Sequence, residues 1–143
     1  MEQGSSPRSK SLELVDKIRA AKRVYIIGNG GSAANAVHVA NDLIACGIRA
    51  YTIDIATLTA IANDFGYNQV FSRWLRAVAE NDDLLIALSG SGRSPNILKA
   101  IEAANDIGMA VHREFGAVQG FDLQAAEERQ IWLGHELMRE LRK

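Results

Sequence analysis

Two short stretches of the chain concentrate glycine, serine and asparagine in a way that suits an anionic ligand. The first, Gly28-Asn29-Gly30-Gly31-Ser32, follows the apolar run Val24-Tyr25-Ile26-Ile27 and opens a helical pattern. Three of its positions lack a Cβ, so the backbone can take positive φ and a ligand can approach the N–H groups, with Ser32 placed to cap the helix. The dinucleotide pattern G-x-G-x-x-G is not met, because Ala33 stands where the last glycine belongs, and no Walker lysine follows. The second stretch is Ser89-Gly90-Ser91-Gly92-Arg93-Ser94-Pro95. Ser94 before Pro95 reads as an N-cap with proline at the first helical position, which leaves free N–H groups and the positive end of the helix dipole facing the loop. The hydroxyls of Ser89, Ser91 and Ser94 add donors, and Arg93 adds charge. Such a loop can hold a phosphate without a large basic patch. Either stretch could also be an ordinary polar turn, so the elements that carry them matter.

Those elements alternate. Leu12, Val15 and Ile18, with Leu14 on the flank, predict a short amphipathic helix ending before Arg23. Val24 to Ile27 suits a buried parallel strand, and Ser32 to Cys46 a helix with Gly47 as its cap. Ile48 to Ile53 reads as a second strand, Leu58 to Asn63 and Asn68 to Glu80 as helices, and Leu84 to Leu88 as a third strand. Ser94 to Ile107 is a helix, Met109 to His112 a fourth strand and Gln124 to Arg142 a last helix. Alternation of this kind argues for an α/β layered domain with a mainly parallel sheet, since parallel neighbours need crossover connections. Ligands of open parallel sheets gather at the carboxyl ends of the strands, where both loops lie.

Composition narrows the function. With 143 residues, 48% hydrophobic and 23% charged, the chain is expected to form one domain over residues 11–143 behind a flexible tail at residues 1–10. Sixteen basic against 17 acidic side chains give a net charge of -1, which argues against nucleic acid or an anionic membrane as partner. The single cysteine, Cys46, excludes an intrachain disulfide. No apolar run reaches the length of a spanning helix, and the polar start lacks the apolar core of a signal peptide, so a cytoplasmic protein is expected. Ile131, Trp132, Leu137, Met138 and Leu141 on the last helix offer more apolar surface than a monomer of this size needs, which predicts subunit packing.

Four separated motifs occur together in order. They are Gly28 to Ser32 followed by His38, Asn63-Asp64-Phe65-Gly66-Tyr67-Asn68, Phe71-Ser72-Arg73, and Ser89 to Ser94. This set resembles the sugar isomerase (SIS) domain family, most closely its phosphoheptose isomerase branch, from about Val24 to Val111. The resemblance implies a three-layer, flavodoxin-like open parallel sheet of four or five strands with helices on both faces. It also implies a homotetramer and a zinc-dependent isomerisation of sedoheptulose 7-phosphate to D-glycero-D-manno-heptose 7-phosphate through an enediol. Asn29, Gly30, Gly31 and Ser32, with Asn63 and Asp64, would contact the sugar phosphate, and Ser89, Gly90, Ser91 and Ser94 would hold its phosphate.

The metal positions implied by the resemblance are His38, Asp42, Glu127 and His135, with Asp42 as catalytic base and His135 as its acid-base partner. Asp42 stands where the family has glutamate; the i, i+4 spacing still places it on one helix face with His38. Glu127 stands where the family has glutamine and would also contact substrate. Glu128 and Gln130 compete with it if the register slips, and Glu127, Glu128 and Arg129 could equally be a solvated charged face. The family usually carries a longer first helix and a fifth strand, which Glu114 to Phe121 replaces here. A non-catalytic relative that binds a sugar phosphate or a protein partner, of the replication-initiator-associating type, is the alternative.

Overall fold

The computed structural model describes residues 6–115 and 122–143, with Pro7 described by its backbone alone. The first helix, α1 (Pro7–Ala20), begins earlier than the boundary expected at Ser11, and its N-cap Ser6 accepts a hydrogen bond from the N–H of Ser9. The rest of the expected tail, and the connection after Phe115 up to Phe121, lie outside the described residues. After α1 come β1 (Val24–Ile27), α2 (Gly31–Ala45), β2 (Ala50–Tyr51), α3 (Ile55–Phe65), a 3-10 turn at Tyr67–Gln69, and α4 (Val70–Val78). β3 (Leu84–Ser89), α5 (Pro95–Ile107), β4 (Ala110–Phe115) and α6 (Leu123–Leu141) complete the chain.

The four strands run parallel in the order β2-β1-β3-β4. This is the flavodoxin-like arrangement without its last strand, so of the four or five strands expected, four are present among the described residues. Side chains alternate along the strands and divide the interior in two. Val24, Ile26, Leu84, Ile86 and Leu88 meet α1, α2 and α6 on one face. Tyr25, Ile27, Leu85 and Ala87 meet α4 and α5 on the other, with Leu58 and Ile61 of α3 packed against them. The result is three layers. Leu84, Leu85, Ile86 and Leu88 are wholly excluded from solvent, each contributing about 1.5–3 kcal/mol.

Several expectations move. On α1 the buried face is Ser11, Leu14, Val15 and Ile18, whereas Leu12 is 40% exposed. Those four positions repeat at i, i+3, i+4 and i+7, the stripe a helix buries, so Val15 and Ile18 face inward as expected and Leu14 takes the place expected of Leu12. β2 shrinks to two residues because it pairs only with the first half of β1. β4 lengthens to Phe115, drawn on by continuous pairing with β3 up to Ser89. The last helix does not present all five apolar residues either: Leu137 is in the core, Leu141 packs against it, and Ile131 and Trp132 are exposed. No helix among the described residues is long and apolar enough to cross a membrane.

Candidate active site

Sheet order reverses between β1 and β3, so the loops that leave their carboxyl ends diverge around a crevice. The first loop turns on Gly30, whose φ of 57° is open to glycine and costly for a side chain. Gly28 allows the loop to close, because a Cβ there would come within 2.6 Å of the Ser32 backbone. The cap of α2 is Gly30 rather than Ser32. Ser32 lies inside the first turn, buried, and accepts a hydrogen bond from Nε2 of Gln130 at 3.0 Å. The expected capping role of Ser32 is therefore corrected: its hydroxyl ties α6 to the loop. Asn29 exchanges two hydrogen bonds with Asn96, at 2.8 and 2.9 Å, and accepts a third from the Tyr67 hydroxyl at 2.6 Å.

The serine loop is organised from within. Ser89 Oγ accepts from the N–H of Gly92 at 2.9 Å, and Ser91 Oγ accepts from the N–H of Arg93 at 3.1 Å. Each hydroxyl keeps its own hydrogen to donate. Ser94 is the N-cap of α5, but its side chain makes no capping bond, which leaves its hydroxyl for a ligand. Ser89, Gly90, Ser91 and Ser94 line one cavity of about 230 Å³ with Asn29, Ser32, Leu88 and Leu123. Arg93 is exposed and does not line it. The helix dipole and the three hydroxyls thus converge on one small cavity that suits a phosphate.

A second group forms where α2 and α6 pack side by side in the same direction. Gly31 faces Glu127, Ser32 and Asn35 take Gln130, and Asp42 faces Gly134. Ligand atoms of His38, Asp42 and His135 lie within 4.8 Å of one another. The Nε2 atoms of His38 and His135 are 3.2 Å apart, and Asp42 Oδ2 is 3.4 Å from His38 Nε2. Asp42 is 5% exposed, and its Oδ2 is buried without a hydrogen bond. An unsatisfied buried oxygen costs about 1–3 kcal/mol and more when charged, which a cation beside two imidazoles would offset. Donor atoms around tetrahedral zinc stand about 3.3 Å apart, close to the separations of His38 from His135 and from Asp42. The donor set therefore fits a divalent metal with an open position. Gly134 makes the fit possible, since a Cβ there would come within 2.8 Å of Asp42 Oδ2.

The competing positions on α6 differ in where they point. Glu127 faces inward with its carboxylate over Gly31, where any Cβ would overlap it; Glu128 is exposed, and Gln130 is 1% exposed. Glu127 is not in the group of His38, Asp42 and His135, lying about 12 Å along the helix axis from His135. Asn63 and Asp64 are bonded to each other at 3.0 Å and exposed at the end of α3, outside the serine-loop cavity. Sequence reasoning missed Asn96, Gly134 and the bridging role of Gln130. The one available signal was a glycine inside an otherwise helical pattern at position 134, next to His135.

Comparison with known proteins came down on one family. The chain matches the family model described as SIS domain over residues 8–112. It is 45% identical to the phosphoheptose isomerase of Campylobacter concisus, over 71% of this chain and 60% of that protein. It is 40% identical to that of Desulfovibrio desulfuricans, over 76% and 55%. The chain thus spans less than two thirds of the length of these curated relatives. Among solved structures, phosphoheptose isomerase GmhA from Neisseria gonorrhoeae matches with a TM-score of 0.84 at 28% identity, covering 95% of this chain and 85% of that one. The enzyme from Francisella tularensis matches with a TM-score of 0.85 at 25% identity, covering 94% and 85%.

Proposed function

This chain belongs to the SIS-domain family, and on that premise we propose that it is an aldose-ketose isomerase of a sugar phosphate, converting sedoheptulose 7-phosphate to D-glycero-D-manno-heptose 7-phosphate. One observation carries the reading: the helix pair α2 and α6 links the ligand loops to the cluster of His38, Asp42 and His135. Seven residues of α2 separate Gly31 from His38, roughly 10 Å along the axis, a span comparable with a phosphorylated sugar of six or seven carbons. The named activity of the curated relatives supports the choice of sugar.

In this reading Ser89, Ser91 and Ser94 hold the phosphate with the N–H groups around Gly90 and the first turn of α5, while Gly30 and Gly31 orient the sugar. Asp42 takes the proton from the carbon beside the carbonyl and returns it to the neighbouring carbon. His135 moves a proton between the two oxygens, so the aldose and ketose interchange with no net proton gained or lost. When held by His38, Asp42 and His135, zinc supplies Lewis-acid polarisation of those oxygens. Glu127, above Gly31, contacts the sugar rather than completing the metal set.

We read the assembly as a homotetramer acting in the cytoplasm. α3 buries none of its residues fully, and Ile55, Phe65, Val37, Ile44 and Tyr51 are exposed on α3, α2 and β2. The serine-loop cavity is smaller than a typical ligand site and lacks Asn63 and Asp64, so a second copy would complete it. The deciding experiment incubates the protein with a panel of ketose and aldose phosphates, with and without zinc, and identifies products by NMR. Conversion of sedoheptulose 7-phosphate that stops with a chelator is the expected result. Binding without conversion under all metal conditions would replace the enzyme with a sugar-phosphate-binding protein, and a monodisperse monomer by light scattering would remove the tetramer.

A further inference from the structure

The two ligand loops are joined through one side chain. Asn29 follows β1 and Asn96 stands at the second position of α5, next to Pro95, yet their amides pair reciprocally across the crevice. Tyr67, in the turn that connects α3 to α4, donates its hydroxyl hydrogen to the same Asn29 oxygen. Asn29 Oδ1 therefore accepts two hydrogen bonds and has no lone pair left for a ligand. Asn96 is 2% exposed, so its amide depends on this pairing, while Tyr67 is 51% exposed and its hydroxyl bonds to Asn29. Asn29 is thus held by its oxygen, while its second Nδ2 hydrogen remains free beside the serine-loop cavity that it lines.

We propose that Asn96 and Tyr67 are positioning residues that clamp Asn29 and so fix the first turn of α2 against the first turn of α5, making one rigid frame for a ligand that touches both loops. Gly30 and Gly31 on one side of the crevice, and Ser94 on the other, lie within two residues of the paired amides. The side chains they hold in place stand on three separate segments, which no single loop could align. Pre-organisation of this kind raises affinity for a ligand that touches both loops more than for one that touches a single loop. The identity of that ligand rests on the isomerase reading; the clamp does not.

The test uses Tyr67→Phe, which removes one hydroxyl from an exposed ring, and Asn96→Asp, which keeps the shape but turns an oxygen toward Asn29. Hydrogen exchange is measured on the ligand-free protein, and calorimetry is run with inorganic phosphate and with sedoheptulose 7-phosphate. In Tyr67→Phe, amides of residues 30–32 and 96–98 should exchange about 5-fold faster, with those of α6 unchanged. Affinity for sedoheptulose 7-phosphate should fall about 5-fold, and KM should rise alike, while affinity for inorganic phosphate stays within about 2-fold. Asn96→Asp should speed exchange at the same amides more strongly. Unchanged exchange in both loops, or an equal loss of affinity for the two probes, would overturn the clamp. Failure of the wild-type protein to convert or bind the heptose would count against the isomerase reading alone, because the exchange measurement still decides the clamp.

Discussion

The serine loop and the cluster of two histidines and an aspartate both gather charge-binding groups, yet they reach their geometry by opposite routes. In the loop, Ser89 and Ser91 accept N–H groups two or three residues away, and each hydroxyl keeps its hydrogen to donate to a ligand. In the cluster, His38 and His135 stand 97 residues apart and meet only because α2 and α6 pack together. The loop is satisfied as it stands; the cluster keeps an oxygen of Asp42 buried without a hydrogen bond, 3.4 Å from His38 Nε2. A site built locally can be ready at no cost to the fold, whereas one built by packing can store an unmet charge that a cation then settles. Damage to one should therefore leave the other working.

Asp42→Asn tests that separation most severely. It removes the negative ligand and the proposed base together, and exchange of the carbon-bound hydrogen of labelled sugar phosphate should fall by about 10²–10⁴-fold. Affinity for inorganic phosphate should stay within about 2-fold; a parallel loss would show that the two regions are not independent. Gly134→Ala should act next most strongly. Its Cβ would meet Asp42 Oδ2 at 2.8 Å, and overpacking of about 1–3 kcal/mol corresponds to roughly tenfold or more in zinc affinity by equilibrium dialysis. Melting temperature should change little, because alanine regains about 1 kcal/mol of helix propensity over glycine.

The reverse experiment is Ser94→Ala. Losing one hydroxyl donor to a charged group should weaken sugar-phosphate binding roughly tenfold by calorimetry. Zinc content, and affinity for the same sugar without its phosphate, should not move. The smallest effect concerns the far end of α6. The hydrogen bond from Lys143, with help from the charges of Arg8 and Arg19, holds Glu140 below its usual carboxylate pKa against the opposing effect of burial. A depressed folded pKa gives stability that is present above the unfolded value and lost as pH falls through the folded one. Glu140→Gln should accordingly flatten the acid limb of a melting-temperature profile slightly, and equal acid sensitivity in the two proteins would refute it.

Much of the fold was legible from short-range pattern. The strands β1 and β3 were readable because both are buried on two faces and appear as unbroken apolar runs. Gly30 and Gly47 were readable as backbone requirements, and both take positive φ. The face of α1 was less so, since Leu12 and Leu14 are chemically alike and only the neighbouring α6 selects between them. Ser32 resembled a cap by its place in sequence, but the turn at Gly30 starts the helix two residues earlier.

The sequence by itself determined the alternating elements, the glycine turns and the phosphate-suited end of α5, because each depends on interactions within a few residues. Only tertiary structure decided that His135 meets His38, that Glu127 rather than Glu128 faces the loop, and that Asn29 braces against Asn96. Those outcomes turn on how two helices are rotated about their axes and on which distant amide fills a buried hydrogen bond. Helical periodicity restricts such rotations to a face but does not choose the partner; the packing of both helices on one sheet does.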